Sequence, residues 1–371
     1  MKVLHILDSL NRGGAETLAL DICRNAKANG LDLIFVATGG GTLENELANS
    51  GTEFIRLQRK MAVDFVLVKR LRKIIKEQSV KIVHSNQAVE GLHLYLATIG
   101  LNVKRVLTFH GGVELKGKNL LSARFLIPRM DANIVVSKGL LRVLRDVNGL
   151  DTSKNFRVIY NGVDKKRLEP TGKNLKNELG IKPDDYLLGM IGNFYPEPRK
   201  DQMTICKSLP KVFNEFPNAH CVFVGGVQAG AEHKFDSCVA FCSENKIADR
   251  VHFPGGRDDV PDILSAMDLF IFSSLTEGLP IALAESMLAN VPLVVSDIEM
   301  LLEASENGKY AEVFRVGDEN DLAEKILKLM RDNSLREDLA QKALIYAQTN
   351  YSIEAHIQEL KKLYESLLDK R

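Results

Sequence analysis

Two glutamates, Glu277 and Glu285, stand in the stretch 269–297, LFIFSSLTEGLPIALAESMLANVPLVVSD. Glu277 falls in a polar loop at the mouth of an expected helix that opens at Pro280. Glu285 falls five residues into that helix, roughly 7–8 Å deeper at 1.5 Å per residue. Carboxylates staggered in this way are poorly placed to serve one bond as acid and base, and better placed to hold two parts of an elongated ligand. A proline at the first helical position leaves no orphan N–H of its own. The remaining first-turn amides and the positive end of the dipole then face the loop, where an anion or sugar hydroxyls could bind. Taken alone, the pair reads equally well as a solvated loop acid and a surface helix acid.

A second group with chemical potential is Arg199-Lys200, at the end of the loop Gly192-Asn193-Phe194-Tyr195-Pro196-Glu197-Pro198. Basic side chains before a helix N-terminus suit a diphosphate, lysine as a point charge and arginine as a bidentate fork. A solvated basic turn fits as well. His84 and His110 each end an expected strand, on the side where parallel sheets bind ligands. A lone histidine there is more often structural. The pair Gly13-Gly14 lets a ligand approach the backbone, or simply makes a tight turn. No D-x-D occurs, and Cys238 and Cys242 lack a second ligand pair, so no metal site is expected.

The spacing Glu277-x7-Glu285 inside EGLPIALAE, flanked by two buried strands and joined to these upstream markers, resembles the retaining glycosyltransferases of family 4. The resemblance covers nearly the whole chain. It implies an α/β GT-B fold, two doubly wound Rossmann-like domains facing an inter-domain cleft. Residues 1–164 with 352–371 would form the acceptor-side domain and 165–351 the donor domain, with the hinge at Asn161-Gly162-Val163-Asp164. A nucleoside-diphosphate sugar would be the donor and a glycan or lipid-linked hydroxyl the acceptor, as in capsule, lipopolysaccharide or other polysaccharide synthesis. No cofactor or metal is implied beyond that co-substrate.

Residue by residue, the resemblance puts Glu277 on the donor sugar's hydroxyls and Glu285 on the ribose. Lys200, with Gly278, Leu279 and Pro280 at the helix start, would meet the diphosphate. Gly13 and Gly14 would close over the phosphates, His110 would face the donor sugar, Phe253 would lie beside the base, and His84 would wall the acceptor side. The usual arginine after the loop glycine is Asn193 in this chain, with Arg199 as the obvious substitute. Two rivals are a non-hydrolysing nucleotide-sugar epimerase, which turns over without acceptor, and an inactive nucleotide-sugar-binding subunit of a glycan-assembly complex.

The elements that must position these residues follow from length and pattern. The 371 residues suit two domains, and the net charge of +1 gives no global field for nucleic acid. Five scattered cysteines fit a reducing, cytoplasmic compartment. No apolar run is long enough to span a bilayer. Alternating apolar runs and amphipathic segments predict two parallel sheets covered by helices. The segment 63–78 is a basic amphipathic helix and 116–129 is similarly basic. Each reads as a core-packed helix with a solvated face, or as a peripheral contact with the inner, anionic face of a membrane.

Overall fold

The computed structural model describes residues 1–111, 115 and 117–369; Gly112 of the His110 turn and Lys116 of the basic stretch lie outside them. The chain divides into two compact units, Met1–Asp164 with Asn350–Arg371, and Lys165–Thr349.

The first unit carries seven parallel strands: β1 (Lys2–Leu7), β2 (Asp32–Ala37), β3 (Glu53–Arg56), β4 (Ile82–Ser85), β5 (Lys104–Phe109), β6 (Ala132–Val135) and β7 (Phe156–Val158), in the order β3-β2-β1-β4-β5-β6-β7. The second carries six: β8 (Tyr186–Ile191), β9 (Ala219–Val224), β10 (Val251–Gly255), β11 (Leu269–Phe272), β12 (Leu293–Ser296) and β13 (Glu312–Phe314), in the order β10-β9-β8-β11-β12-β13. Helices follow the strands and cover the sheets, so the central strands are buried except at a few end residues. In β11 all four residues are no more than 1% exposed, as expected of a strand covered on both faces.

The strand order reverses between β1 and β4 in one unit and between β8 and β11 in the other. At such a switch point the loops leaving the carboxyl ends diverge, and a crevice opens there. In the second unit those loops are 192–201 and 273–280, which contain Asn193, Arg199, Lys200 and Glu277. Sequence patterning had placed these residues on loops; the topology adds that the two loops are neighbours.

The chain leaves and re-enters the first unit along a paired seam. Val163 N–H donates to Tyr351 O at 2.9 Å and Ile353 N–H donates to Val163 O at 3.0 Å. A Cβ on Gly162 would lie 2.7 Å from His356 Cβ and 2.8 Å from Ser352 O, so only glycine fits. Asn25 Nδ2 donates to Asp164 Oδ2 at 2.8 Å. The NGVD stretch is thus built into a backbone crossing.

One local expectation is corrected, and two short elements are added. The helix of the glutamate pair runs Ile281–Leu288 with Pro280 as N-cap, φ −71° and ψ 125°. That extended ψ puts Pro280 one step outside the helix, where its carbonyl accepts from Leu283 N at 3.2 Å. The edge strand β13 and the helix Glu299–Ala304 were not foreseen, being too short to show a period.

Candidate functional site

Residues of the second unit come together around the loop after β11. The peptide of Lys200 runs antiparallel to Ser274, so Leu275 N–H donates to Arg199 O at 2.7 Å and Asp201 N–H to Ser273 O at 3.1 Å. Asp201 then caps the helix Gln202–Glu215 by accepting from Thr204 N at 3.2 Å. This clamp carries Lys200 to Glu277, with Nζ 2.5 Å from Oε1. Ser274 Oγ donates to the same oxygen at 2.7 Å. The ammonium also sits 3.9 Å from the centroid of the Phe272 ring. Burial pulls the Lys200 pKa below the ordinary lysine value, against the pull of Glu277.

Glu285 lies in a helix whose every residue but Ala282 is buried. Its Oε1 accepts from Arg167 Nη2 at 2.8 Å, with the two side chains 8% and 14% exposed. Arg167 belongs to the turn Lys165–Leu168 and is not among the residues the sequence singles out. The one available signal was the basic run Lys165-Lys166-Arg167 directly after NGVD. Gly278, Leu279 and Pro280 form the buried turn between Glu277 and this helix.

The loop after β8 is fixed by a residue that lacks charge. Asn193 Oδ1 accepts from Gly226 N at 2.8 Å, stapling this loop to the one after β9. The two backbones approach so closely that a Cβ on Gly225 would lie 2.3 Å from Gly192 O. Arg199 stacks over Tyr195, 4.7 Å from ring centre. Phe253 stacks on Phe223, with centroids 5.1 Å apart, and meets Phe235 edge-on at 5.4 Å. Its ring is therefore engaged in the core of its own unit.

In the first unit, Gly13 caps the helix Gly14–Asn25 and its carbonyl accepts from Thr17 N at 2.9 Å. His110 Nε2 and Asn86 Oδ1 are 2.9 Å apart. An amide oxygen only accepts, so Nε2 carries the proton and Nδ1 is an acceptor. That Nδ1 is buried and has no partner. Burial, then His356, lowers the His110 pKa to about 4, so the ring is neutral. His84 is not a wall residue. It is 2% exposed, with Nε2 2.6 Å from Thr108 Oγ1 and Nδ1 2.6 Å from Tyr364 Oη, which also meets His5 at 2.8 Å. Both ring nitrogens are spent inside the fold, and the structural role of a strand-end histidine prevails.

Glu90 is fully buried, with Arg59 Nε 3.5 Å from its Oε1. On the helix Phe65–Glu77 the residues Leu67, Leu71 and Ile75 face the core, while Lys69, Arg70, Lys73 and Lys76 face out. Just before and at its start, Met61, Val63, Phe65 and Val66 are 59, 38, 70 and 62% exposed. Among the described residues no His/Cys/Asp/Glu group suits a metal, and no helix is long and apolar enough to cross a membrane.

The two halves each match a known family. The profile described as Glycosyl transferases group 1 matches residues 172–344, and that described as Glycosyltransferase Family 4 matches residues 12–167. The chain belongs to these glycosyltransferases and has their GT-B fold of two Rossmann-like sheets. Over 315 residues it is 25% identical to an N-acetyl-alpha-D-glucosaminyl L-malate synthase of Bacillus anthracis, across 82% of this chain and 80% of the relative. Across 99% of both chains it is 26% identical to the capsular polysaccharide biosynthesis glycosyltransferase CapH of Staphylococcus aureus. The fold matches that of HepE from Anabaena, solved with UDP and glucose, with TM-score 0.85 and 20% identity over 99% of this chain and 100% of that one.

Proposed function

We propose that this glycosyltransferase moves a sugar from a nucleoside-diphosphate donor to a hydroxyl of a glycan or lipid-linked acceptor, with retention and without a metal. The observation that carries the reading is the buried Lys200–Glu277 pair at the switch point of the second sheet, beside the start of the helix Ile281–Leu288. Glycosyl transfer passes through an oxocarbenium-like state, and negative charge grows on the departing diphosphate. An ammonium has three donors, so Lys200 can hold Glu277 and still offer protons to phosphate oxygens. The first-turn amides of the helix, with Gly278, Leu279 and Pro280 shaping its mouth, add dipolar stabilisation. These positive groups supply what a metal would otherwise bring to the diphosphate.

Glu277 would orient the sugar through its remaining lone pairs, and Glu285 would accept from the ribose diol. Arg199 stands in for the arginine that Asn193 replaces, while Asn193 shapes the loop. In the first unit, the unpartnered Nδ1 of neutral His110 would be an acceptor for a sugar hydroxyl, and the Gly13-Gly14 helix start would receive phosphate. No strong general base is evident, which fits a leaving phosphate that takes the acceptor proton itself. The apolar and basic surface of 61–76 fits peripheral attachment to an anionic, cytoplasm-facing membrane leaflet, where a lipid-linked acceptor would be met.

The test is a thermal-shift panel of nucleoside diphosphates and their sugars, followed by NMR of the product anomer. Stabilisation by a nucleotide sugar, retained configuration and turnover in EDTA are expected. Turnover without acceptor, or no stabilisation by any member of the panel, would overturn the reading.

A further inference from the structure

We infer that Arg167 is a positioning residue for nucleotide recognition: it fixes the carboxylate of Glu285 in the orientation that reads the ribose. This rests on the ribose role given to Glu285 above. A carboxylate on a helix buried along nearly its whole length pays heavily for desolvation unless a cation meets it. Arg167 supplies that cation at 2.8 Å, nearly buried itself. The planar guanidinium also fixes direction, which a lysine ammonium would not. An ionised carboxylate offers about four lone-pair positions over two oxygens. The guanidinium's bond to Oε1 occupies one of them and orients the carboxylate plane for a diol.

The turn that carries Arg167 is itself anchored. Leu168 is 7% exposed, and the turn Lys165–Leu168 packs on the helices Ile281–Leu288 and Val260–Ala266. Next to the latter, Thr171 N–H and Thr171 Oγ1 donate to Asp262 at 2.8 and 2.6 Å, and Gly172 N–H donates to it at 2.9 Å. Asp262 thus pins the segment that follows Arg167, and the guanidinium is delivered to Glu285 from a fixed base.

The experiment measures binding of UDP, GDP and ADP, and of their 2′-deoxy forms, by calorimetry on the full chain. The proteins are wild type, Glu285→Ala, Arg167→Ala and Arg167→Lys, each with its Tm. The readout is the ratio of ribo to deoxy affinity, which a purely structural loss would not move. Wild type should prefer the ribo form about tenfold or more, the range of one hydrogen bond to a charged group. Both alanine variants should bring that ratio close to one, and Arg167→Lys should restore it in part. If Glu285→Ala loses the preference but Arg167→Ala and Arg167→Lys keep it in full, the positioning role is wrong and the ribose role of Glu285 stands. If Glu285→Ala keeps the preference, the ribose role fails and the inference falls with it. Tighter nucleotide binding by Arg167→Ala would mean that Arg167 competes with the ligand, and overturns the inference. Failure of all three nucleotides to bind wild type overturns both. Should Arg167→Ala not fold, Arg167→Lys alone decides: an unchanged ratio refutes, a reduced one supports.

Discussion

Lys200 Nζ and Glu277 Oε1 lie 2.5 Å apart, with side chains only 10% and 7% exposed. Two charges at that depth are tolerable together and costly apart. Lys200→Ala should lower kcat about 100-fold or more, the usual loss for one group that stabilises developing charge. It should also destabilise the second unit by about 3–5 kcal/mol, because Glu277 is left without its cation. Replacing both residues by methionine should recover most of the stability and none of the turnover. Donor turnover and urea unfolding measured side by side would show it. A double variant as unstable as Lys200→Ala would refute this account of the pair.

The outward face of the helix Phe65–Glu77 gives a prediction about lipid. Phe65→Ser with Val66→Ser should weaken binding to phosphatidylserine vesicles in co-sedimentation by about a hundredfold or more, since each large apolar side chain contributes about 1.5–3 kcal/mol when fully buried. Activity on a short water-soluble acceptor should be unchanged. Equal sedimentation of variant and wild type would rule out this face.

Four histidines whose ring nitrogens are shielded from water make the first unit sensitive to acid. Burial lowers the pKa of His5 to about 3, of His110 and His356 to about 4, and of His84 well below the ordinary value. On unfolding each returns to about 6.5, so the unfolded chain binds more protons below that pH. Stability is therefore complete above about 6.5 and is lost as pH falls toward 4, by up to about 1.4 kcal/mol per pH unit per histidine. Denaturant midpoints at pH 8, 6 and 5 should fall in that order. A flat profile would contradict the burial of these rings.

Glu90 works in the opposite sense. Burial, then Asp8, raises its pKa to about 7. The folded state thus holds a proton that the unfolded state has released, and stability is lost as pH rises from about 4.5 through 7. Glu90→Gln should raise stability at pH 8 by about 1–3 kcal/mol and leave it nearly unchanged at pH 4.5. The effect is about that of one histidine, so the four rings still dominate the overall profile. Equal midpoint shifts at both pH values would show that charge burial is not the cause.

Gly162→Ala tests the seam. Its new methyl would collide with His356 Cβ and with backbone of Ser352 and Ile353, which cannot yield as a flexible side chain would. A loss of about 1–3 kcal/mol is expected, the range for overpacking. Faster exchange of the Val163 and Ile353 amides should accompany it. Unchanged exchange would mean that the seam accommodates the methyl.

Much of this was legible in the residue order, and the rest was not for identifiable reasons. Buried strands such as Leu269–Phe272 announce themselves as short all-apolar runs, so both sheets could be anticipated. Glu277, Glu285 and Lys200 could be named singly, because each sits beside a glycine- or proline-marked turn. Their partners could not, since pairing Glu285 with Arg167 requires knowing which helix the turn Lys165–Leu168 rests on. His84 shows the converse: a suggestive residue at a strand end whose side chain is consumed by neighbours from distant sequence. Asn193 stood out as a missing charge, and the staple its side chain makes to the Gly226 amide joins two loops that no local pattern brings together.

Because Tyr364 in the helix Ile353–Asp369 completes the hydrogen bonds of His5 and His84, strand β1 stays unfinished until that distant helix has been made. The inserted second unit is contiguous and can fold as it emerges from the ribosome. A nascent chain stalled before Asn350 would thus carry one finished half and one unsealed half. Such a half, holding unsatisfied buried histidines, is the natural client of a chaperone.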